Sequence, residues 1–303
     1  MTLDNLTNDG DLEKMIKKEH IPKEVLQSPE YKAAMYLKDK GIDLDSIKNT
    51  ITQLEQGNRK LYKDVLPFSK THIKFGVISD LHIGHKDYRG DVLRHAAKYF
   101  RQEKIDFIVN AGDTLEGMSG RDGHIYELEA VGAGAQLDLF EKEFKLLKDW
   151  KVYSIEADGS HGGWFKSKGN MGLDIGKEMT LRAPNYIFLG YDEQDLKLKN
   201  GLKIRLRHPG GGTAYAISYK MQKYVDSISG GQKPDILIQG HFHKSEYIFY
   251  RNIHCFDAAT LENQSPFMKK IGTPAHVGYW IIDAYLNKKG VERIKQEFIP
   301  FWE

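Results

Sequence analysis

The chain has 303 residues, 40% hydrophobic and 28% charged, which exceeds the usual ~100–200 residues of one domain and fits a globular chain with a sizeable core rather than a disordered one. Forty-four Lys and Arg against 42 Asp and Glu give a net charge of +2, so the overall field neither demands nor forbids a polyanionic partner. The single cysteine, Cys255, excludes an intramolecular disulfide and thiolate zinc modules, leaving His and carboxylate to hold any metal. No run reaches the ~18 apolar residues of a membrane span, and residues 1–10 lack the apolar core of a signal peptide; a cytoplasmic protein without membrane contact is expected.

Residues 1–72 read as a helical appendage and linker. Leu12, Met15 and Ile16, then Ala33, Ala34 and Leu37, recur at helical spacing, with Pro22 and Pro29 as punctuation. Asp43 and Asp45 precede a helix over 46–56 that ends at Gly57-Asn58, and residues from 59 onward form the linker. A helix-turn-helix over 31–58 would need a basic face, but residues 1–74 carry thirteen Lys or Arg against twelve Asp or Glu, which favours a plain helical appendage over a DNA-binding one.

From Ile73 the texture changes to short apolar runs that stop at Gly, Asp, His or Asn, separated by helical stretches, the alternation of an α/β domain over 73–303. Strands are expected at 73–79, 105–110, 151–156, 186–189, 201–207, 235–238, 247–250, 253–257 and 277–283. Helices are expected at 91–102, 136–148, 173–181 and 214–227. Asn200-Gly201, flanked by strict alternation on both sides, signals a hairpin. On that alternation His208 shares the face of Leu202, Ile204 and Leu206, so it points where the buried residues do.

The strand ends carry the chemistry. They read Asp80-x-His82, Gly112-Asp113, Gly159-Ser160-His161, His208-Pro209 and Gly240-His241-x-His243. In open α/β sheets ligands bind beyond the carboxyl ends of the strands, where residues distant in sequence converge. Two Asp and five His in one crevice would be costly without cations to share, and a pair of divalent ions ~3.5–4 Å apart, bridged by one carboxylate, removes that cost. Each piece alone is common; the weight lies in five of them, each directly after a predicted strand.

In this order the five pieces resemble the signature of the calcineurin-like metallophosphoesterases, over roughly residues 73–283 and not over the N-terminal helices. The stretch from His208 through Gly210-Gly211-Gly212, Tyr215 and Gln222 to 264–268 resembles an uncharacterised group within them, common in phage and prophage genomes. The resemblance implies a four-layer α/β/β/α sandwich of two mixed sheets with a dinuclear metal site at the edge where these loops meet. It implies that Asp80, His82 and His243 bind the first metal, that Asp113 bridges, and that Ser160, His208 and His241 bind the second. His161 would stand near the leaving group as general acid. The two cations, Mn²⁺ by preference with Zn²⁺, Fe²⁺ or Mg²⁺ as alternatives, would lower the pKa of a bridging water and neutralise the phosphate during in-line attack.

Two departures bear on that centre. Ser160 stands where the family usually has Asn, a longer-reaching neutral donor, which weakens the second site. Gly162 replaces the usual acidic residue, removing an orienting partner for His161, and Asn170 in a nearby Gly-rich loop is a candidate replacement for the missing amide. Lys86 and Arg89, after the first motif, and Arg121, in a loop over 116–126 that also holds His124, are candidate phosphate contacts, with a plain solvated loop as the alternative. Gly210-Gly211-Gly212 would open the helix from Ala214 and offer backbone N–H groups to a phosphate. Cys255 and His254 read as packed rather than reactive. The leading reading is a phosphodiesterase or nuclease acting on DNA or RNA. The alternatives are a phosphomonoesterase acting on phosphoprotein or nucleotide, and a catalytically weakened scaffold whose N-terminal helices recruit a partner.

Overall fold

The computed structural model describes residues 65–169, 172–288 and 290–302. The expected N-terminal helices and Asn170 lie outside the described residues.

One sheet has four parallel neighbours, β2 (His72–Ile78), β3 (Phe107–Asn110), β4 (Val152–Glu156) and β5 (Tyr186–Tyr191). Next to β2 the antiparallel β11 (Gly278–Asn287) pairs in turn with β12 (Gly290–Pro300), giving the order β12-β11-β2-β3-β4-β5. Parallel strands covered on both faces need near-continuous apolar runs, and Phe107, Ile108 and Val109 of β3 are all fully buried.

The second sheet orders β1 (Val65–Leu66), β6 (Glu193–Leu198), β7 (Lys203–Arg207), β8 (Ile236–Gln239), β10 (Ile253–Ala258) and β9 (Ser245–Tyr250) as β1-β6-β7-β8-β10-β9. Between the sheets Phe75, Val77, Phe107 and Val109 share one apolar core with Ile204, Leu206, Ile238 and Phe256. On the outer face of the first sheet lie α1 (Gly90–Glu103), α2 (Gly132–Phe144) and α3 (Ile175–Arg182). On the outer face of the second, α4 (Tyr219–Ser227) packs Met221 and Val225 with Leu237, Ile253 and Cys255. The result is the four-layer α/β/β/α sandwich.

Three elements differ from the sequence reading. The predicted linker contains β1, whose Leu66 is buried and pairs with Leu198, and just beyond it Phe68 lies 4.8 Å from the ring of Phe107. The last strand, β12, went unread because it is an edge strand whose residues are exposed or half-buried, so its apolar alternation is faint. Helix α4 starts at Tyr219 rather than Ala214, because the Gly211 carbonyl is tied to the His241 ring at 2.7 Å and Tyr215 stays in solvent. The glycine run therefore forms a loop beside the crevice and does not open a helix.

Two outcomes follow from this packing. At Gly76 in β2 an added Cβ would sit 2.6–2.9 Å from the Phe100 ring of α1. Gly76→Ala should therefore cost about 1–3 kcal/mol by overpacking, read as a lower urea midpoint; an unchanged midpoint would mean that the ring yields freely. Cys255 is fully buried and burial pushes its thiol up to about 12. A disulfide reagent at pH 8 should label it only in denaturant, and rapid labelling of the native protein would refute that packing.

Candidate metal centre

The strand ends deliver their polar residues at a steric cost. Asp80, His82, Asp113, His161, His241 and His243 all have φ between 45° and 81°, in the left-handed region. Non-glycine residues rarely adopt it, and such strain persists where surrounding contacts impose it, commonly at functional sites. Gly112, at φ 110°, could not be replaced, since a Cβ there would lie 2.4 Å from Nδ1 of His208. Beyond the sheet the segments after β2 and β3 stay side by side: Asp80 N–H donates to Gly112 O at 3.0 Å, His82 N–H to Asp113 O at 3.1 Å, and Glu116 N–H to Ile83 O at 3.0 Å.

Two groups of metal-ligand type result. Asp80, His82 and His243 offer ligand atoms within 4.8 Å of one another, and so do Asp113, His208 and His241. These are the two sets expected from the sequence, with Ser160 Oγ beside the second, 3.5 Å from Asp113 Oδ1. The contacts inside them suit a cation. His82 Nε2 and His243 Nε2 stand 3.0 Å apart. His208 Nε2 is buried 2.9 Å from Asp113 Oδ2, two ligand atoms close enough to share an ion.

The ring orientations agree. His82 Nδ1 donates to Glu116 Oε2 at 2.7 Å, His208 Nδ1 to Ala111 O at 2.7 Å, and His241 Nε2 to Gly211 O at 2.7 Å. Each thereby turns its other nitrogen toward the centre.

Without metal, protons carry the balance. Burial opposes charge on His208, but Asp113 outweighs it and pushes that imidazole up to about 9; burial likewise opposes His161, which Asp113 and Glu116 raise to about 10. Burial, then the charge of His161, lowers His82 to about 4, and burial with His208 does the same to His241. Against the pull of burial, His161 and His208 hold Asp113 well below the usual carboxylate range.

His161 flanks both sets. Its Nε2 lies 3.6 Å from Asp113 Oδ2, and its side chain keeps 25% exposure where Asp113 keeps 1%. Nδ1 faces the Glu116 carboxylate and main-chain oxygen, each at 3.2 Å, and Trp164 covers the ring at 4.7 Å between centroids.

Glu116 is the residue that the sequence reading underweighted. Its buried carboxylate also meets His124 Nε2 at 2.6 Å, so it serves three imidazoles and supplies the orienting acid that Gly162 cannot. A second is Glu262, buried among His85, His82 and His243 at 3.0, 3.9 and 3.7 Å. Glu116 had one signal, its place three residues after Asp113; Glu262 had none, being brought in by chain pairing alone.

The expected phosphate contacts have partners of their own. Lys86 Nζ donates to Tyr126 O at 2.6 Å. Arg89 pairs with Asp91 at 2.8 Å and donates to Asn263 Oδ1 at 2.9 Å. Arg121 grips Glu127 through two bonds and lies over the Phe267 ring at 5.4 Å.

No protein-family model matches the chain. It is similar to the DNA polymerase II small subunit of Halobacterium salinarum, 21% identical over 233 residues, 66% of this chain and 46% of that protein. The corresponding subunit of Archaeoglobus fulgidus is 25% identical over 237 residues, 64% of this chain and 47% of that protein. The chain thus spans about half the length of the curated relatives it matches. Similar solved structures include an archaeal phosphodiesterase, with 15% identity and TM-score 0.44 over 75% of this chain and all of that one. Another is the Vps29 protein of Entamoeba histolytica complexed with Zn²⁺, with 16% identity and TM-score 0.37 over 75% of this chain and 99% of that one. Two six-stranded mixed sheets with helices on both outer faces, and with these Asp and His residues at their strand ends, give the chain the fold of the calcineurin-like metallophosphoesterases.

Proposed function

We propose that the chain is a metal-dependent phosphodiesterase acting on nucleic acid. The observation that carries this reading is the pair of ligand groups, linked by a third in which Asp113 of one stands within 4.8 Å of His82 of the other and of the partly exposed His161. Asp80, His82 and His243 would hold one divalent cation, and Ser160, His208 and His241 a second, with Asp113 shared; Mn²⁺ suits this thiolate-free donor set. When bound, such ions neutralise phosphate oxygens and lower the pKa of water.

The chain's own groups supply the rest. With Nδ1 on the Glu116 carboxylate and its ring under Trp164, His161 would give a proton from Nε2 to the departing oxygen. Lys86, whose ammonium rests on a neutral carbonyl, is the proposed phosphate contact. Arg89 and Arg121 would have to exchange Asp91 and Glu127 for a phosphate. The polymerase subunits named above support nucleic acid as the polymer, and the N-terminal helical segment is proposed as a separate appendage. No helix among the described residues is long and apolar enough to cross a membrane.

Metal-stripped protein with Mn²⁺ restored should hydrolyse bis-p-nitrophenyl phosphate in preference to p-nitrophenyl phosphate, and then oligonucleotides. Asp113→Ala should abolish this activity. His161→Gln should lower kcat about 10²–10⁴-fold, while Glu116→Gln should cost about 10–100-fold through misorientation of His161 and His82. Preference for the monoester would replace the reading with a phosphomonoesterase. Silence on both substrates with metal bound would replace it with the scaffold.

A further inference from the structure

The residues behind the imidazoles differ between the two ligand groups. In the first, His82 Nδ1 is bonded to the carboxylate of Glu116 at 2.7 Å. His243 Nδ1 is buried without a hydrogen bond, and Glu262 Oε2 lies 3.7 Å from it. In the second group the nitrogens facing away from the centre meet only peptide oxygens, Ala111 O for His208 and Gly211 O for His241. A carboxylate behind an imidazole makes it a more basic donor and adds negative charge near the ion; a carbonyl does much less. The second group also carries Ser160, whose hydroxyl is the weakest donor in the set.

Glu262 is held in place by the chain itself. Thr260 Oγ1 and Leu261 N–H both donate to Asp80 O, at 2.8 and 3.1 Å, and Asn263 N–H donates to Asp87 O at 2.9 Å. Ala259, at φ 70°, turns the chain into this segment. The carboxylate is 3% exposed, and its nearest histidine nitrogen, Nδ1 of His85 at 3.0 Å, already accepts the Asp87 N–H. With His82 and Glu116, Glu262 forms a further group whose ligand atoms lie within 4.8 Å.

We infer that the two cation positions are unequal: Glu262 and Glu116 make the Asp80, His82 and His243 position the tight one, while the Asp113, His208 and His241 position fills only at higher metal concentration. Glu262 acts as a positioning residue that closes on His243 Nδ1. The protein then carries one ion when metal is scarce, and the supply of the second ion governs its activity. This inference rests on the metallophosphoesterase reading.

Calorimetric titration of metal-free protein with Mn²⁺, followed in parallel by the electron paramagnetic resonance of bound Mn²⁺, tests it. Wild type should bind one ion tightly and a second more weakly, with the spin-coupled signal of a pair appearing only in the second step. Glu262→Gln should weaken the first step about 10–100-fold and leave the second near its original affinity, with metal-free melting unimpaired. Should that variant fail to fold, Glu262→Asp, which keeps the charge but withdraws the oxygen by one methylene, should weaken the same step. Ser160→Asn should tighten the second step alone. Two ions bound with one affinity, or a first step unaltered in folded Glu262→Gln, would overturn this inference and leave the phosphoesterase reading standing. Absence of any binding by the wild type would overturn both.

Discussion

The constraint on which the rest of this structure depends is electrostatic. Asp80, Asp113 and Glu116 are buried, each against an imidazole: His243 at 3.4 Å, His208 at 2.9 Å and His82 at 2.7 Å. Carboxylates withdrawn from water need cations or donors, and a shortfall costs several kcal/mol per group. In the absence of metal the protein meets part of this demand with protons, holding His161 and His208 charged while His82 and His241 stay neutral. Such a division among four rings of one type is imposed by the acids between them. It leaves His82 and His241 with lone pairs available, the condition for holding a metal.

The fold satisfies this constraint by accepting strain at the strand ends and recovering it in the layers behind. Left-handed backbone at six of the polar residues is unfavourable locally. It is sustained because β2, β3, β7 and β8 are rigidly sandwiched, with Val77, Val109, Leu206 and Ile238 fully buried just before the chain turns into the centre. A further buried acid, Glu156 at the end of β4, works from behind. Burial raises it to about 7, and it takes hydrogen bonds from Thr114 and from the Tyr186 hydroxyl at 2.6 Å. Thr114 follows Asp113, so this contact fixes the Asp113 carboxylate through its backbone.

Much of this was legible in the sequence, for a physical reason. A parallel strand buried on both faces must be apolar along its length, and a polar residue ends it abruptly, so Asp80, Asp113, His208 and His241 mark both the strand end and the crevice. Hence the sandwich, the burial of His208 and the two ligand groupings could be read before the structure, with the family resemblance supplying the pairing of residues to ions. What could not be read depends on contacts remote in sequence. Strand β12 gains its place only by pairing with β11 and leaves its charged residues in solvent. Glu262 reaches the centre through bonds to Asp80, some 180 residues away along the chain. The expected phosphate contacts were legible as residue types, but their partners Asp91 and Glu127 were not.

The pairing of the segments after β2 and β3 accounts for the departure at Gly162. Because Ile83 N–H donates to Thr114 O and Glu116 N–H returns to Ile83 O, the Asp113–Glu116 stretch continues as an extended neighbour of Asp80–Ile83. Asp113 and Glu116 are thereby delivered by one stretch, the first to His208 and His241 and the second to His82, His124 and His161. An acid at position 162 would approach His161 from its own loop, a less rigid support than two paired strand extensions. With Glu116 already 3.2 Å from His161 Nδ1, a second carboxylate there would add repulsion between buried acids without adding orientation. Glycine at 162 is therefore compatible with an oriented His161 ring.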